Sequence, residues 1–150
     1  MKPLIVLLIT FIVAVFSVKL FYHDYEVALC ARIAMSVMLV FTAIAHFAFT
    51  KGMAMMIPNF IPFKKEIVYL TGIVEIIAAV GLITPQFKLL TAWLLILFFT
   101  LLLPANINAA IKRINYQKGS FDGSGLKYLW FRVPLQILFI VWTYFSAIGF

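Results

Sequence analysis

Five polar side chains stand out in a chain that is otherwise rich in oil: His46, Glu75, Asn106, Arg132 and Gln136. Together they supply an imidazole, a carboxylate, a guanidinium and two amides. Such a set can take up or release a proton, balance one charge and present both donors and acceptors to a bound molecule. Each falls within a long apolar run, where a charge turned toward hydrocarbon costs roughly a few kcal/mol, so such groups face a protein interior or a working site.

The elements that must position them follow from composition. The chain has 150 residues, of which 65% are apolar and 11% charged, with a mean hydropathy of +1.12. Runs of about 18 or more apolar residues are the signature of bilayer-spanning helices. Five segments meet that length: Pro3 to Val18, Val27 to Phe49, Glu66 to Ile83, Phe87 to Ile111 and Lys127 to Ile148. The expectation is an all-α membrane protein with five transmembrane helices and the lipid bilayer as its first partner. The opening segment ends near VFSVKLF, which offers no small-x-small cleavage site, so it is expected to stay as a helix.

Net charge is +7, from 12 basic and 5 acidic residues. The basic residues sit in connections between apolar runs and form no basic helix or strand face, which argues for topology and against nucleic acid. Lys2, Lys51, Lys64, Lys65, Lys112, Arg113, Lys118 and Lys127 fall on one side, and Lys19 and Lys88 on the other. That bias predicts insertion in the cytoplasmic (plasma, or inner) membrane, with the N-terminus inside and the C-terminus outside.

Depth along each helix, at about 1.5 Å per residue, brings the polar groups to one half of the membrane. Glu75 and Gln136 lie nine residues into their helices, roughly 14 Å deep. His46, Asn106 and Arg132 are four or five residues from the same end of theirs, roughly 6 to 8 Å deep. A shared pocket is the economical reading of that agreement. Gly72, Glu75 and Ala79 share a helical face on which small neighbours admit another helix, and Arg132 and Gln136 share another. Arg32, Ser36, Leu39, Thr42 and His46 make a stripe along the second helix, whose outermost member, Arg32, can snorkel to the surface.

Pro104 is expected to kink the fourth helix and free a carbonyl near Thr100, which Asn106 could satisfy. The second connection, KGMAMMIPNFIPFKK, is broken by Pro58 and Pro62 and should lie in the interface or dip into the bilayer as a lid over the pocket. The fourth, NYQKGSFDGSGL, reads as a solvated turn. Arg132 is placed either as the counter-ion of Glu75 or as an anchor for a ligand oxygen. Trp93, Trp130, Trp142 and most of the sixteen Phe read as packing or interfacial belt.

Cys30 is the only cysteine, which excludes an internal disulfide, a thiol relay and a thiolate metal cage. The two histidines, His23 and His46, fall on opposite sides of the predicted membrane, so the chain does not ligate haem b through paired imidazoles. No metal site is expected. The remaining chemistry suits a lipophilic molecule with one or two oxygens, such as a quinone.

RIAMSVMLVFTAIAHF, MIPNFIP, YLTGIVEIIAAVGLITP, LPANINAA and FRVPLQ, in that order, resemble the DoxX-like family of small integral membrane proteins. The resemblance covers roughly Arg32 to Trp142 and implies a four-helix transmembrane domain over residues 27–150. Residues 1–26 then form an additional N-terminal helix with its external loop. His46, Pro58, Pro62, Glu75, Pro104, Asn106, Arg132 and Gln136 fall at the recurring motif positions. The family's links to quinol oxidation imply an accessory, redox-associated subunit that binds a quinone or lipid and works beside a redox-enzyme partner.

Three functions remain open from the residues. One is that quinone-binding subunit, and another is an enzyme moving protons on a lipophilic substrate in isomerase-like fashion, with Glu75 as the best catalytic candidate. The third is a non-catalytic scaffold. Exposed aromatic faces permit a homo-oligomer without requiring one.

Overall fold

A computed structural model describes residues 2–23, 26–123 and 125–149. Asp24 and Tyr25 of the first connection and Ser124 of the fourth lie outside the described residues. Among the described residues seven helices follow one another: α1 (Lys2–Tyr22), α2 (Val27–Ala48), α3 (Thr50–Met56), α4 (Lys64–Ile83), α5 (Lys88–Leu101), α6 (Leu103–Ile111) and α7 (Leu126–Ala147). Counting α5 and α6 as one span, five helices are long and apolar enough to cross a membrane.

Helix α4 shows why these segments take this form. Val68, Gly72, Glu75, Ala78, Ala79 and Leu82 are its buried residues, spaced three or four apart as one face of a helix requires. Its other face carries Leu70, Ile73, Ile77 and Val80, all exposed and all apolar. An exposed face of that composition is unsuited to water and suits hydrocarbon. Helix α1 is the extreme case, with Leu7 its single buried residue.

Helices α2, α4, α5 and α7 make a square in which α2 lies beside α4, α4 beside α5, α5 beside α7, and α7 beside α2. This is the neighbour pattern of an up-and-down four-helix bundle. Helix α1 runs along α2, places Leu7 in the core that contains Leu39, Leu82 and Leu95, and sets Phe11 edge-on to Trp142 at 5.1 Å. Small residues bring α2 and α4 close together. A Cβ on Gly72 would stand 3.0 Å from the His46 Cβ and 3.2 Å from the Phe47 ring.

The fourth span is divided at Leu102, two residues before Pro104, which sits in the first turn of α6. Proline there has no N–H to give to Thr100, and its ring crowds that carbonyl, so the helix ends and restarts rather than bending smoothly. Pro134 lies inside α7, a helix interior proline that the sequence reading did not single out.

Two connections differ from expectation. The first half of the second connection is helical, as α3, because its prolines act only from Pro58 onward and Met and Ala favour helix before them. Ile57, just ahead of Pro58, is extended (φ −72°, ψ 134°), as a residue before proline should be. The fourth connection is more than a solvated loop. Asn115 and Ser120 pair across a turn that lies on α3 so closely that a methyl at Gly52 would overlap the Tyr116 carbonyl. The sequence signal for this was Gly52 itself, which has no other reason to interrupt a helical segment.

Candidate ligand-binding site

At the end of the bundle where α2 finishes and α4 begins, the helices frame a partly open cavity of about 570 Å³. His46, Glu75, Asn106, Arg132 and Gln136 all line it, together with Phe41, Phe98, Phe99, Met53 and other apolar side chains. Pro58 lines it as well, and so does Ile61, whereas Pro62 is not among the lining residues, so the expected lid touches the cavity without Pro62 itself. Lys2 and Pro3, from the start of α1, stand at its edge.

One polar pole comes from α2 and α4. Thr42 and His46 are four apart on α2, and Thr71 and Glu75 four apart on α4, so each pair shares a face directed at the other. His46 Nε2 lies 3.4 Å from Glu75 Oε2, and the Thr42 hydroxyl donates to that same oxygen at 3.1 Å. On the far side of the ring, Nδ1 is 3.2 Å from the Val68 carbonyl and 3.0 Å from the Thr71 hydroxyl.

These partners accept two proton arrangements. With the proton on Nδ1, the ring donates to the Val68 carbonyl, which can only accept, and Nε2 needs a second proton between itself and Glu75. With the proton on Nε2, the ring donates to Glu75 and Nδ1 accepts from Thr71. No heavy atom has to move between the two. Oε1 of Glu75 has no protein partner among the described residues and is not sealed off, so it is left to the cavity.

The second pole comes from α6 and α7. Arg132 Nε donates to Asn106 Oδ1 at 3.3 Å, and the guanidinium lies 5.7 Å from the centre of the Tyr128 ring. Its terminal nitrogens have no protein acceptor among the described residues. The alternative in which Arg132 is the counter-ion of Glu75 is not what forms: among the described residues the basic side chain in contact with Glu75 is His46. The reason lies in the square, since α4 and α7 are diagonal and the cavity separates them. Arg32 has its Nε buried with no hydrogen-bond partner among the described residues.

The amides divide the work differently from expectation. Gln136 Nε2 donates to the Phe99 carbonyl at 2.6 Å, so Gln136, rather than Asn106, satisfies the backbone beside the break in the fourth span. Asn108, passed over in the sequence, ties α6 to α3 through the Met56 carbonyl at 2.8 Å. Thr71 was missed as well, although its place four residues before Glu75 was the available signal. Among the described residues no three His, Cys, Asp or Glu side chains are grouped as a metal site would need.

A helical protein, with five helices among the described residues long and apolar enough to cross a membrane and a polar-tipped cavity between them, is the class that fold and site define. A family described as a domain of unknown function, DUF8561, matches residues 35–147, and the chain belongs to that family. The match runs from α2 to the end of α7, taking in both poles and leaving out α1. None of the curated proteins and none of the solved structures matches the chain.

Proposed function

We propose that this protein sits in the cytoplasmic membrane with its N-terminus inside and binds a lipophilic, oxygen-bearing molecule of the quinone class in the cavity. The supporting observation is the opposition of two polar poles, Glu75–His46 and Arg132–Asn106, across an apolar chamber of about 570 Å³. That volume is of the size that holds small organic ligands. One ligand oxygen would accept from the free nitrogens of Arg132, and the other would meet the Glu75 end. The eight basic residues on one side support the orientation. The DoxX-like resemblance supports a role beside a redox-enzyme partner.

The test is titration of the purified protein with a short-chain ubiquinone, followed by tryptophan fluorescence. A hydrogen bond to a charged group contributes about 1.5–3 kcal/mol, so Arg132→Gln and Glu75→Gln should each weaken binding roughly ten- to a hundredfold. Binding that is unchanged in both variants would sink the reading.

A second reading is favoured by the 3.4 Å contact of His46 with Glu75. A carboxylate and imidazole able to exchange a proton without rearrangement can serve as acid and base on a lipophilic substrate. Turnover by the protein alone, lost in Glu75→Gln with the fold intact, would favour it over passive binding.

A further inference from the structure

The basic end of the molecule holds a feature that the cavity does not use. Lys64, at the start of α4, and Lys112, just beyond α6, both donate to the same acceptor, Asn59 Oδ1, at 3.2 and 3.0 Å. Two ammonium groups are thus held within two hydrogen-bond lengths of each other. Neither has a carboxylate partner among the described residues. A neutral amide oxygen has two lone pairs and can accept from both lysines, but it cannot cancel their charges. Each ammonium keeps two further donors for something else.

The surroundings say what that something is. Phe60 and Phe63 flank Asn59 and Lys64, and Ile111 precedes Lys112; they are 85%, 74% and 67% exposed. Phe63 holds this position in a left-handed backbone conformation, φ 56°, which a bulky residue adopts only where its surroundings impose it. A cation pair framed by bare aromatic and aliphatic side chains matches an interface where phosphate groups lie directly over acyl chains. A free anion in water would have no use for the apolar frame.

We propose that Lys64 and Lys112, gathered by Asn59, form a binding site for the phosphate of an anionic phospholipid headgroup, with Phe60, Phe63 and Ile111 against its acyl chains. The site lies beside the lid, because Asn59 follows Pro58, which lines the cavity. It stands whatever occupies the cavity.

Each lysine near an anionic lipid surface contributes about a fivefold factor in affinity, so loss of both should lower it roughly thirtyfold. The experiment is native mass spectrometry of the full chain released from micelles containing phosphatidylglycerol or phosphatidylcholine. The wild type should retain one phosphatidylglycerol, which Lys64→Gln/Lys112→Gln should lose. Lys65→Gln/Lys127→Gln removes the same charge from exposed positions at the same end and should keep the lipid. Equal loss in the two double variants would reduce the effect to diffuse surface charge and overturn the site, as would equal retention. Displacement of the lipid by millimolar inorganic phosphate would mark a small-anion site instead and overturn the lipid assignment.

Discussion

The two halves of the bundle are built on opposite principles. In the closed half, Ala34, Met35, Ala78, Leu82, Ala92 and Leu95 are all buried in one cluster. There the polar side chains are spent on backbone: Ser36 donates to the Ala79 carbonyl at 2.9 Å, Trp142 to Ala31 at 2.9 Å and Thr143 to Phe139 at 2.8 Å. In the cavity half the helices are interrupted, at Phe49 between α2 and α3 and at Leu102 between α5 and α6. There Glu75 meets His46 and Arg132 meets Asn106, and Glu75 and Arg132 keep hydrogen-bonding capacity in reserve. Continuous helices with small and large residues alternating close up, whereas broken ones leave room. Close packing and open polar capacity therefore lie at different ends of the same four helices.

The largest test of that division is mechanical. Leu82→Ala, in the closed half, should cost about 2–5 kcal/mol through the void it leaves. Met53→Ala, beside space that is already empty, should cost about 1 kcal/mol or less, since little new void is created. Denaturant unfolding in detergent measures both, and equal losses would erase the distinction between the halves.

A smaller effect concerns the pole on α2 and α4. His46→Gln, Glu75→Gln and the double variant form a cycle whose coupling should fall in the range of about 0.5–3 kcal/mol expected for side chains in contact. The matching cycle for Glu75 with Arg132 should give a coupling near zero, because the cavity lies between them. A strong Glu75–Arg132 coupling would mean that the cavity collapses and the halves are alike.

The smallest effect lies outside both halves, in the turn over α3. The Ser120 hydroxyl, hydrogen-bonded to the Asp122 carboxylate, holds that carboxyl below its ordinary value of 3.8. A depressed carboxyl stabilises the fold above its unfolded pKa, and the contribution disappears as pH falls through the folded value. Protection of the amides in residues 115–120, taken relative to the intrinsic exchange rate at the same pH, should therefore fall in acid below about pH 4 while protection in α4 and α7 is unchanged. The Asp122→Asn variant should show fast exchange in the turn at every pH.

Much of this architecture was legible in the residues because hydrophobic length is a one-dimensional property. The five spans, the buried face of α4 through Gly72, Glu75 and Ala79, and the interruption announced by Pro104 could all be read from spacing alone. The shared depth of five polar groups could be read too, since it depends only on counting along each helix. Pairing could not be counted. The partner that the residues suggested for Glu75 was Arg132, and the contact with His46 instead rests on which helices are adjacent and which are diagonal. The same holds for Gln136 and Phe99, for Asn108 and Met56, and for the turn that settles on Gly52.

Sequence by itself determined how long each helix is, which of its faces is small or polar, and that charge collects at one end, because these follow from local chemistry and period. Only the tertiary structure decided that the helices close at one end and part at the other, and that an acid meets an imidazole while a guanidinium faces them across open space. The reason is geometric: a helix fixes the direction of its own side chains, but the distance between side chains on different helices is set by how all of them pack at once.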